Sequence, residues 1–149
     1  MKNMNDTRVS QALMQRLEYL PENAARQWGK MNVSQMLAHC CVPIEVALGD
    51  RKGSVSFVGK LFGRFAKSSL THDKPFKKGI PTDKSFIVAD TGHFDIEKQK
   101  LLGLVKRFAE TEPYVFDGRK HPFFGTMSYL EWSNLTYKHL DHHLRQFNG

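Results

Sequence analysis

Cysteine is scarce in this sequence of 149 residues, which has two, Cys40 and Cys41, side by side. Neighbouring cysteines rarely bond to each other without strain, and the pair lacks the spacing of a CxxC motif. Reduced thiols in a cytoplasmic, reducing setting are therefore expected. Cys40 falls on an apolar helical stripe and reads as a small core residue, with a catalytic thiol as the lesser alternative. Long apolar runs are also missing, since no stretch approaches the roughly 18 residues needed to span a membrane. The opening MKNMNDTRVSQALMQRLEYL has neither the apolar centre nor the small-residue cleavage site of a signal peptide. Repeats, low-complexity tracts and interdomain linkers are absent, so residues 1–149 read as one domain, long enough to bury an ordinary core.

What is present is an ordinary globular composition, 40% hydrophobic and 25% charged, with a net charge of +7. The charge is unevenly placed. Residues 51–84 hold nine basic side chains against two acidic ones, which accounts for the whole excess. Such a segment can attract an anionic substrate, a membrane surface or nucleic acid, although a lysine-rich loop kept soluble by its charge is the simpler reading.

Helical spacing dominates. The pattern predicts a first helix from Thr7 to Leu20, with Val9, Leu13, Leu17 and Leu20 on one face and Pro21 closing it. A second opens on a capping box of Asn32 and Gln35, runs through Val33, Met36, Leu37, Cys40, Ile44 and Leu48, and stops at Gly49. A third starts near Asp95 and buries Leu101, Leu104, Val105 and Phe108. A fourth is capped by Ser128 and Glu131 and runs to about Phe147. VGKLFGRFAK (58–67) is amphipathic and short, better suited to packing on the domain than to lying on a membrane. KSFIVAD (84–90) suits a short extended piece, but one strand makes no sheet. Four helices and one long connection of about forty residues between the second and third point to an all-α four-helix bundle with a crossover.

The chemistry gathers near the end, in HLDHHLRQF (139–147). On a helix, His139 and His143 are four residues apart and project from one face, so two imidazoles can converge on one ion. His142 is three residues from His139 and is a substitute or a neighbour. Trp132, Leu135, His139 and Gln146 share a face, which gives the stripe an apolar start. The HExxH motif does not apply, because Leu140 stands where that motif needs glutamate. Two histidines make a weak site, and a third ligand must come from another helix. His39 is the best candidate, beside Val42, Pro43 and Val46, although read alone it is more simply a buried, hydrogen-bonded histidine. Pro43 lacks the N–H that would pair with the His39 carbonyl, so a kink is expected there. His72, His93 and His121 fall in expected loops and receive no role, and HPFF at His121 reads as a rigid turn with apolar anchors.

Three stretches, WGKMNVSQMLAHC (28–40), HPFFG (121–125) and EWSNLTYKHLDHHLRQF (131–147), carry a resemblance that spans most of the chain. The sequence resembles the DinB/YfiT-like superfamily of metal-binding four-helix bundles, and most of all its DUF1569 branch. The resemblance implies three metal ligands, His39 on the second helix and His139 and His143 on the last. It also implies the long crossover. Some superfamily members transfer small thiols and one relative isomerises maleylpyruvate; relatives commonly dimerise, so a homodimer is an open alternative to a monomer. Where the wider superfamily often reads HHRGQ this chain reads HHLRQ, which keeps Gln146 and puts Arg145 in place of glycine.

The leading expectation is a cytoplasmic protein holding a divalent ion, Zn²⁺ or Ni²⁺, on three neutral imidazoles, which suit both ions. His142, Gln146 and Trp132 line the pocket or support the ligands. A small anionic thiol or acid is the expected substrate, in a transferase, with a hydrolase or a catalytically silent scaffold as alternatives. Asp141, Cys40 and Arg145 are the candidate acids and bases. A basic nucleic-acid-binding module ranks lower, since the segment carries no recognised motif. Protonated imidazole cannot coordinate, so the ion is expected to leave as pH falls through the ordinary histidine range.

Overall fold

The computed structural model describes residues 1–52, 67, 74–79 and 93–149. These residues are predominantly helical. They form α1 (Thr7–Tyr19), α2 (Val33–Leu48), α3 (Phe94–Glu110) and α4 (Tyr129–Gln146), with a 3₁₀ turn at Pro113–Val115. A small hairpin pairs β1 (Lys120–His121) with β2 (Gly125–Thr126). The expected amphipathic stretch at 58–67 (apart from Lys67) and the extended piece at 84–90 lie outside the described residues.

The helices begin and end where the local chemistry dictates. Asn32 accepts from the Gln35 amide at 2.8 Å while Gln35 Oε1 accepts from the Asn32 amide at 2.9 Å, closing the box expected for α2. Gly49 takes a left-handed φ of 84° and turns its N–H back to the Glu45 and Val46 carbonyls. Ser128 and Glu131 form the same reciprocal box at α4. Pro43 stays inside α2, where it cannot donate to the turn that carries His39.

α1 and α2 each pack against both α3 and α4. The core between them includes Leu13 and Leu17 of α1, Met36, Leu37 and Ile44 of α2, Leu101, Val105 and Phe108 of α3, and Trp132, Leu140 and Leu144 of α4. Each such side chain contributes about 1.5–3 kcal/mol on leaving water. Polar cross-links fix the directions. Lys100 meets Glu45 at 2.7 Å and Arg107 meets Asp50 at 2.6 Å, so α2 and α3 run the same way. The Met4 amide donates to Ser133 and Arg16 pairs with Asp141, so α1 and α4 also run together. Lys98 caps the Glu18 and Leu20 carbonyls while Asn5 donates to the Ala109 carbonyl, which sets α1 against α3.

The hairpin departs from the expectation of a chain without strand pairing. Lys120 pairs with Thr126 and His121 with Gly125. Two-residue strands are too short to leave an alternating pattern, and the turn closes through Gly125 at φ 72°. The consequence for function is that His121 is not a loop residue in solvent. It is 7% exposed and set against α4.

Candidate metal centre

α2 and α4 bring three histidines together. One ring nitrogen from each of His39, His139 and His143 lies within 4.8 Å of the others. His39 Nε2 and His139 Nε2 are 3.0 Å apart, and the ring centroids of the three pairs are separated by 4.6–4.9 Å. His39 and His143 are buried, while His139 keeps some access to solvent. Two imidazoles bound at 2.0–2.1 Å to a tetrahedral ion would hold their nitrogens about 3.3 Å apart. The observed spacing therefore fits a small divalent ion with a slight opening of the pair.

Burial favours the neutral form of His139 and His143. Burial holds the His139 pKa well below 6.5, helped by the fields of His143 and His39. Burial also lowers His143, to about 3, with His39 adding to the shift and the Gln146 contact opposing it. Neutral imidazoles keep the lone pairs that ligation needs.

The tautomer of His143 is set by a chain of hydrogen bonds. Gln146 Nε2 donates to the Trp28 carbonyl at 2.7 Å, which orients the amide. Its Oε1 then faces His143 Nδ1 at 2.9 Å, and a carbonyl oxygen can only accept. Nδ1 thus carries the hydrogen and Nε2 the lone pair, the arrangement outer hydrogen bonds impose on ligating histidines. The Gln27 amide donates to the Gln146 carbonyl at 2.8 Å and ties the same strip of chain to the end of α4. Gly29 makes this possible. It has φ 80°, and a Cβ there would sit 2.6 Å from Gln146 Nε2.

The remaining sequence candidates divide. His142 is outside the three-nitrogen cluster; its ring lies 5.1 Å from His143 and 5.4 Å from Trp28. It bonds the Phe76 backbone, and burial lowers its pKa despite that bond. Asp141 is turned away, held by Arg16 at 2.8 Å and Arg145 at 3.0 Å. Arg145 is exposed and pairs with the buried Asp141. Cys40 is buried with its thiol against Met36 Sδ at 3.7 Å, and burial raises its pKa well above 9.0, so it offers no thiolate. Trp132 is 1% exposed and packs on His121.

Sequence reasoning missed four neighbours. Trp28 and Phe76 flank His142, with the Lys78 ammonium 4.3 Å above Trp28 and that of Lys138 4.9 Å above Phe76. No periodicity could have found Phe76 or Lys78, because they come from the connection between helices.

With this geometry in view, a family model described as "Protein of unknown function (DUF1569)" matches residues 5–149. The chain belongs to that family. No curated protein and no solved structure matches this DUF1569 member. The match covers every residue of the histidine cluster, together with Trp28, Gln146 and the hairpin.

Proposed function

We propose that the chain is a DinB-like four-helix bundle, a single domain over residues 1–149, that binds one divalent ion through His39, His139 and His143. The observation that carries the reading is the convergence of three imidazoles from two helices, one of them oriented by Gln146. The bundle assignment is supported by the packing of α1 and α2 against both other helices. The crossover is supported by direction: α2 and α3 are parallel, so the chain joining them has to return the length of a helix. Zn²⁺ and Ni²⁺ both suit imidazole ligands.

An ion held by three protein ligands leaves an open position, where it lowers the pKa of a bound water or thiol. The chain itself does the rest. Trp28 and Phe76 lie against His142 beside the cluster, and Lys78 and Lys138 place positive charge over those rings. This lining favours a small anionic substrate, and we assign the site to transfer of a small thiol in a cytoplasmic enzyme. Hydrolysis at the same site, and a silent metal scaffold, are the alternatives that activity assays separate. A basic nucleic-acid-binding module is the alternative of another class, ranked lower because the 51–84 segment carries no recognised motif.

Metal analysis of tag-free protein tests the reading. One equivalent of metal is expected in the wild type, background levels in His39→Ala, His139→Ala and His143→Ala, and near wild-type content in His142→Ala. A folded wild type that neither carries nor takes up Zn²⁺ or Ni²⁺ would overturn it.

A further inference from the structure

Beside the histidine cluster one buried N–H group, that of Trp132, lacks an acceptor among the described residues, and a second N–H is carried by the ring packed against it. His121 Nδ1 accepts from the Phe123 and Phe124 amides at 3.0 and 3.2 Å, so the ring hydrogen is on Nε2. Burial lowers the His121 pKa to about 4, which keeps this single-hydrogen form across the neutral range. The His121 ring lies 5.2 Å from that of Trp132, whose Nε1–H is buried without a hydrogen-bond partner among the described residues. A buried donor left unpaired costs about 1–3 kcal/mol, so such a group points to an acceptor that arrives from outside the chain. The pair lies on the side of α4 that carries His139, since Trp132 and His139 are two turns apart on one face of that helix.

Charge identifies the acceptor. Three imidazoles bring no negative charge to a divalent ion. Among the described residues the carboxylates flanking the cluster are already engaged, Asp141 by Arg16 and Arg145, and Glu131 by Ser128 and Lys67. A buried, uncompensated dication favours an anionic ligand.

We propose that His121 Nε2–H and Trp132 Nε1–H together bind one oxygen of a carboxylate ligand of the histidine cluster. The assignment rests on the metal reading above and makes both residues specificity determinants, with the hairpin serving to hold the His121 donor in place.

The test uses ¹⁵N-labelled, Zn²⁺-treated full-length protein titrated with acetate at constant pH and ionic strength. The two indole N–H signals are assigned with Trp132→Phe, and Trp28 serves as the internal control. A saturable downfield shift of the Trp132 indole proton is expected, with acetate affinity about tenfold weaker in His121→Phe. A Trp132 signal that stays fixed throughout the titration overturns the proposal, as does a His121→Phe variant that binds acetate like the wild type. Zinc content of the same sample separates the two readings. Zinc bound with an unmoved indole sinks the donor pair alone, whereas zinc absent with the shift intact sinks the metal centre and keeps the carboxylate site. Because the shift is read on the wild type, a poorly folding variant does not decide the outcome.

Discussion

At the scale of single residues, the cluster depends on one amide as much as on three rings. Gln146 fixes His143 and is itself fixed by Trp28 and by the space that Gly29 leaves. Gln146→Ala is expected to weaken Zn²⁺ affinity by about 10–100-fold while the fold persists, as read by competition with a chelator. Gly29→Ala should act on the same readout, because a side chain there is strained at φ 80° and displaces the Gln146 amide; it should also cost about 1 kcal/mol of stability in urea. Register made much of this legible: the four-residue spacing of His139 and His143 and the sharing of a face with Gln146 follow from helical geometry. The role of His39 did not follow from spacing, since its partners are a hundred residues away. The pairing at His121 was not legible, because a hairpin of two-residue strands gives no pattern to read.

Among the elements, caps explain why the boundaries were predictable. Reciprocal boxes at Asn32 and Ser128 and the left-handed Gly49 each depend on residue types that announce themselves. Asn32→Ala should lower stability by about 1 kcal/mol in chemical denaturation without altering metal stoichiometry, since it frays the start of α2 and leaves His39 two turns further on. α3 begins at Phe94 with no side-chain cap from His93, and its start was accordingly read one residue late, near Asp95. Helix direction was less visible. The parallel run of α2 beside α3 rests on ion pairs between Glu45 and Lys100 and between Asp50 and Arg107. Such pairings depend on tertiary position, and single-sequence periodicity is blind to them.

For the molecule as a whole, acid is the expected weakness. His121 and His143 have folded pKa values of about 4 and about 3 against 6.5 when unfolded, both through burial. Between those values the unfolded chain binds more protons, so stability is full above pH 6.5 and falls as pH drops toward 4. The slope is about 1.4 kcal/mol per pH unit for each histidine kept neutral. Urea midpoints measured from pH 7 to 4 should show this decline, and His121→Phe should flatten it by one proton. The same depression revises the expected metal release. Protons compete for buried imidazoles only well below the ordinary histidine range, so ion loss and unfolding should coincide in an acid titration. The mass-action counterpart is a melting temperature that rises with added Zn²⁺. Among the described residues, no helix is long and apolar enough to cross a membrane. The pairing of α1 with α4 has a further consequence, in the timing of synthesis. The ribosome delivers His39 early and His139 and His143 a hundred or so residues later, in the element that also closes against the first helix. A nascent chain therefore holds one imidazole of the cluster until its final stretch emerges, and on the proposed metal reading capture of the ion waits until the last helix docks.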